Sequence, residues 1–150
     1  MKTTFLVLLS LLLSISFKDC DFSQLGMPGD PLVEAEAALA AHKQFIIDIT
    51  ATRGVQQAKT LEHLNKVLLP DEKFLSRREN DLSTNLIVAH FQLKRSHEAL
   101  QRYVNAYTES INTSDKSDIT QANSVMSISL STAREAISNA EAAIEKHKHP

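Results

Sequence analysis

One cysteine, no tryptophan, three glycines and four prolines are spread over 150 residues. Each scarcity excludes something. A lone Cys20 cannot close an intrachain disulfide, so the fold has to be held by packing instead of the staples that small extracellular domains use. That leaves Cys20 free, paired with another chain, or removed in processing. Glycine occurs only at 26, 29 and 54, which leaves no glycine-rich phosphate loop and no Gly-x-Ser-x-Gly elbow. From Asp71 to His149 there is neither glycine nor proline, and the stretch is rich in Ala, Leu, Glu, Lys and Gln. That composition favours helix, and no alternating run of Val, Ile and Thr offers a strand.

Excess charge of one sign is also missing. With 16 Lys and Arg against 18 Asp and Glu, the net charge is −2, so the chain carries no electrostatic footprint for nucleic acid. No glutamate is followed three residues later by histidine, the spacing that points both ligands of a carboxylate-bridged metal centre into a bundle. The six histidines are scattered. His42 falls on the apolar seam of the first predicted helix and reads as a hydrogen-bonded structural residue. His147 and His149 read as a solvated, frayed tail, not a metal site. No cofactor and no metal are expected. Because catalysis needs positioned groups in a concave site, the reading is a non-enzyme.

What is present begins with "MKTTFLVLLSLLLSIS": a lysine, an apolar run from Phe5 to Leu13, and small residues at Ser14 and Ser16. This is the pattern of a cleaved secretory signal over residues 1–16. A retained anchor is the alternative, but the run is short for a membrane span. Residues 17–29 then form a flexible segment, and 30–149 the helical domain. The expected localisation is extracellular, with no transmembrane segment after cleavage. Asn112, in "NTS", fits the N-glycosylation pattern and falls in a polar run that reads as a turn.

Four helices are expected. The first starts at Asp30, a capping residue, with Pro31 at the position where its missing N–H costs nothing. Its apolar side carries Leu32, Ala35, Leu39, Ile46 and Ile49, and Gly54 can end it. A second runs from Val55 to Leu69, and Pro70 stops it. The third begins near Asp71 or restarts at Asn80–Asp81. Its seam steps alternately by three and four through Leu86, Ala89, Leu93, Ser96, Leu100, Tyr103 and Tyr107. The run "NTSDKSD" interrupts. The fourth helix carries Ile119, Ala122, Met126, Ser129, Ala133, Ala136, Ala140 and Ala143 at the same spacing. Large side chains on the third seam face small ones on the fourth, which lets two helices approach closely. The expected fold is an all-α, up-down-up-down four-helix bundle, with Tyr103 and Tyr107 in its core.

The stretch "ALQRYVNAYTESI" followed by "DITQANSVMSISLSTAREA" resembles the second half of the plant invertase and pectin methylesterase inhibitor family. Ala99, Leu100, Tyr107 and Ile111 match its first part. Met126, Ser127, Ser129, Leu130 and Ser131 match the second, with Asp118, Gln121, Ala122 and Asn123 on the approach. Several features depart from the family pattern. Its paired cysteines fall on Tyr103 and Ala136, its N-terminal hairpin has no room ahead of Asp30, and its Pro-Lys-Phe-like element has no counterpart. The resemblance implies a secreted inhibitor that docks a helical face on a cell-wall carbohydrate-active enzyme; no inhibitory residue is carried over. It also implies a Tyr103–Ala136 contact in place of the bridge. Losing a bridge over a loop of about 33 residues costs roughly 3–4 kcal/mol, of which a buried aromatic recovers about 1.5–3 kcal/mol. Two other functions stay open. One is a carrier that opens amphipathic helices onto lipid or an apolar ligand, a role that the absence of tryptophan and the Ala/Ser face of the fourth helix disfavour. The other is a secreted interaction or effector protein using the helices as a scaffold.

Overall fold

The computed structural model describes residues 29–51 and 72–150. The expected signal sequence, Cys20, Gly54 and the expected helix over 55–69 lie outside the described residues. Among those described, all regular structure is helical: α1 (Pro31–Ala51), a single turn α2 (Glu72–Leu75), a 3₁₀ turn (Glu79–Asp81), α3 (Thr84–Asn112) and α4 (Lys116–Lys148). No helix among them is long and apolar enough to cross a membrane.

The helix starts follow from local chemistry. The Asp30 carboxylate accepts the Leu32 amide at 2.9 Å, and Pro31 takes the first helical position. Ser83 holds extended backbone ahead of α3. Asp115 caps α4 by accepting the Ser117 amide at 2.7 Å. Thr113 tightens the connection, its hydroxyl accepting from the Asp115 amide and donating to the Asp118 carboxylate. The polar run therefore breaks the chain only at Thr113–Asp115, because Asp115 starts a helix through residues that read as a turn. The third helix likewise starts at Thr84, later than its sequence suggests: α2 and the 3₁₀ turn occupy the approach, burying Phe74 and Leu82. At its far end α4 places Lys146, His147 and Lys148 against the negative end of the helix dipole.

Three cross-links fix the register of α3 and α4 as antiparallel: Ser83 to His147 at 2.9 Å, Asn85 to the Lys146 carbonyl at 3.1 Å, and Arg95 to Glu135 at 3.5 Å. α1 lies antiparallel to α4, through Lys43–Glu141 and Glu36–Lys148. It is parallel to α3, through His42–Ser96. The core forms two layers. One joins Ala35, Ala38 and Leu39 to Phe74, Leu86, Leu93, Ile137, Ala140 and Ile144. The other joins Phe45 and Ile49 to Leu100, Tyr103, Val104, Leu130 and Ala133.

Of the seam residues, Leu86, Leu93, Leu100, Tyr103, Ala133, Ala136 and Ala140 are buried, whereas Tyr107 and Met126 are half-buried at the edge of the second layer. The register separates Tyr103 from Ala136. With Arg95 beside Glu135, Tyr103 faces the turn near Ser127, which puts Ala136 about 13 Å further along at 1.5 Å per residue. The contact implied by the resemblance is not made; Tyr103 packs in the layer of Leu130 and Ala133.

Candidate binding groove

Toward the α3–α4 turn, the trough between these two helices holds a groove of about 610 Å³. Its α3 wall is Tyr103 and Tyr107, four residues apart and so on one face. Its α4 wall is Asn123, Met126, Ser127, Leu130, Ser131 and Arg134. These recur at steps of three and four, a stripe turned one position round the helix from the Ala seam. The floor is apolar, with Leu130 buried and Met126 half-buried; the rim of Asn123, Ser127, Ser131 and Arg134 is exposed. The short hydroxyl side chains on the rim leave the space open.

Among the described lining residues, Arg134 is the single formal charge, and none of them is a carboxylate. Arg77 and Arg95, by contrast, each hold a glutamate, at 2.5 and 3.5 Å. A groove with two phenol rings, a thioether, an aliphatic floor and one cation at its rim can bind an apolar body and an anionic end. Its described lining holds no carboxylate and no histidine.

Two other polar constellations hold the structure together. His42 is fully enclosed, its Nδ1 3.0 Å from the Ser96 hydroxyl, and its ring lies 6.2 Å from that of His97. Both partners sit on the seams expected from the sequence. His90 Nε2 lies 3.1 Å from the Leu75 carbonyl, and its ring meets Phe74 edge-on at 5.4 Å, tying α2 to α3. A smaller hollow of about 360 Å³ beside it is lined by Glu79, His90, Phe91, Lys94, Arg95 and Glu98, charges of both signs around an exposed ring. Among the described residues, no group of three or more His, Cys, Asp or Glu is placed to hold a metal ion.

Asn112 is exposed but is the last residue of α3, not part of the turn. The groove unites Tyr103, Tyr107 and Met126 from the expected seam. It leaves Leu86, Leu93, Leu100, Ala133, Ala136 and Ala140 in the core. The sequence reading did not single out Arg134. Its signal was present all the same, since it continues the Asn123–Ser127–Leu130–Ser131 stripe by one turn. No family model, curated protein or solved structure matches the chain.

Proposed function

We propose that the chain is a secreted, non-catalytic helical protein that binds another extracellular protein through the α3–α4 face, as an inhibitor of a cell-wall carbohydrate-active enzyme. The observation that carries this reading is the groove. It coincides with the stretch that resembles the inhibitor family, and it is built from Tyr, Met and Arg, residue types concentrated at protein interfaces. The scaffold proposed for it is the up-down-up-down four-helix bundle, in which α1, α3 and α4 take the directions described above. Exposed Asn112 is the proposed glycan site, beyond the end of the groove, where a sugar has room.

The test is direct. The chain from residue 17, produced by secretion, is titrated against purified pectin methylesterase and against purified invertase. Stoichiometric loss of activity in one of them is expected, together with a glycosidase-sensitive mass that Asn112→Gln abolishes. Full activity of both enzymes at saturating chain would overturn the inhibitor reading.

A further inference from the structure

We propose that the groove receives an acidic segment of the partner protein, one presenting an Asp or Glu carboxylate a single helical turn from a leucine-sized or aromatic side chain. This deepens the binding reading above by naming the chemistry of the partner. The argument for a carboxylate is charge complementarity. Arg134 is exposed at the rim, no described lining residue neutralises it, and it forms no ion pair or hydrogen bond with the described residues. A guanidinium presents a planar fork that matches a carboxylate with two parallel hydrogen bonds.

The apolar requirement comes from the floor. Met126 and Leu130 are joined by the Tyr103 and Tyr107 rings, and a thioether and flat rings adapt to an inserted side chain. Spacing links the two requirements. Leu130 and Arg134 are one turn apart, about 6 Å along α4, so anchor and carboxylate must be separated by that distance. Residues i and i+4 of a helix meet this, as do i and i+2 of an extended strand. Asn123, Ser127 and Ser131 line the same rim and offer hydrogen bonds to the segment's backbone. The groove runs along two helices, which suits a segment laid lengthwise.

The full mature chain is titrated with two synthetic helical peptides that differ only in carrying Leu-x-x-x-Glu or Leu-x-x-x-Lys, and separately with decanoate. Binding is read from the ¹³C-methyl resonance of Met126. The expected result is a saturable Met126 shift with the Glu peptide and at least tenfold weaker binding of the Lys peptide. Arg134→Glu should weaken the Glu peptide at least tenfold, and Arg134→Lys should restore part of the loss. Equal binding of both peptides, or an unchanged affinity in Arg134→Glu, overturns the proposal. So does decanoate binding as tightly as the Glu peptide, which would make the occupant a small amphiphile. Enzyme titration separates this proposal from the inhibitor reading. Inhibition that survives Arg134→Glu removes the acidic-segment proposal alone, and Glu-peptide binding without inhibition of either enzyme removes the inhibitor reading alone.

Discussion

His42 and Ser96 meet at zero exposure between α1 and α3, 3.0 Å apart. A buried hydrogen bond contributes little net stability while both partners are present, but it is costly to break on one side. Ser96→Ala should therefore cost about 1–3 kcal/mol in urea unfolding. The double variant His42→Leu/Ser96→Ala should cost less than the two single changes combined, since it removes both ends of the His42–Ser96 hydrogen bond together. Equal and additive losses would show that the two side chains do not act as a pair. A second residue-scale lock closes the start of α1. Arg77 donates to Glu34 at 2.5 Å and also to the Gly29 carbonyl. The hydrogen bond to Glu34 is the main reason its guanidinium is held above its ordinary value. Arg77→Met should cost about 1–3 kcal/mol. Gly29→Ala should cost less, although its Cβ would fall 2.7 Å from the Glu34 carboxylate, because that atom ends a flexible side chain.

α4 is the small-residue element, and its Ala133, Ala136 and Ala140 are fully enclosed. Ala136→Leu should overpack this interface and lose about 1–3 kcal/mol, while Ala142→Leu on the exposed side should be near neutral; thermal unfolding of the two variants distinguishes them. The end of α4 is tied by Lys148, which reaches both Glu36 and Glu145. Glu36, then Glu145, holds the Lys148 amine above its usual 10.5, and Lys148 holds the Glu145 carboxyl below its usual 4.5. A lowered carboxyl contributes above its unfolded value and is lost as pH falls through the folded one. A raised amine contributes below its unfolded value and is lost as pH rises through the folded one. The last turn of α4 should thus fray below the ordinary carboxylate range and again above the ordinary lysine value, as read from Cα chemical shifts of residues 145–148. High salt should flatten both limbs. These elements also show what the sequence made legible. The three-and-four spacing located the buried faces of α3 and α4 and, on α1, Ala35, Leu39, His42 and Ile49, while the buried Ala38 and Phe45 lie one position round from that seam. Periodicity fixes the phase of each helix, however, and not its axial offset from a neighbour. The Tyr103–Ala136 pairing came from the resemblance, and the register of α3 against α4 sets the two apart; Tyr107 and Met126 line a groove although their phase is that of core residues. Asp115 escaped notice because a capping residue inside a polar run looks like more turn.

Across the molecule, α3 and α4 run together from Ser83–His147 at one end to the groove at the other, and both contribute to each core layer. α1 adds Ala35, Ala38, Leu39, Phe45 and Ile49 to those layers. Beyond those shared layers, it is linked to α4 by the polar pairs Lys43–Glu141 and Glu36–Lys148, with partly exposed side chains, and such pairs hold weakly. Opening α1 should therefore require less free energy than unfolding the hairpin. In native-state hydrogen exchange, the amides of Leu93, Leu100, Ile137 and Ile144 should share the highest protection, while those of Leu39 and Phe45 open at lower denaturant as a separate unit. One common opening energy for all six would make α1 part of a single cooperative core. The same experiment ties fold to function, because the described residues that line the groove all belong to α3 and α4. A peptide held there at a hundred times its dissociation constant stabilises its site by about 2.7 kcal/mol. That gain should appear in the hairpin amides and leave the local opening of α1 unchanged, since a ligand bound by the hairpin alone has the same affinity whether α1 is docked or released. Protection gained by α1 on peptide binding would mean that α1 contributes to the site.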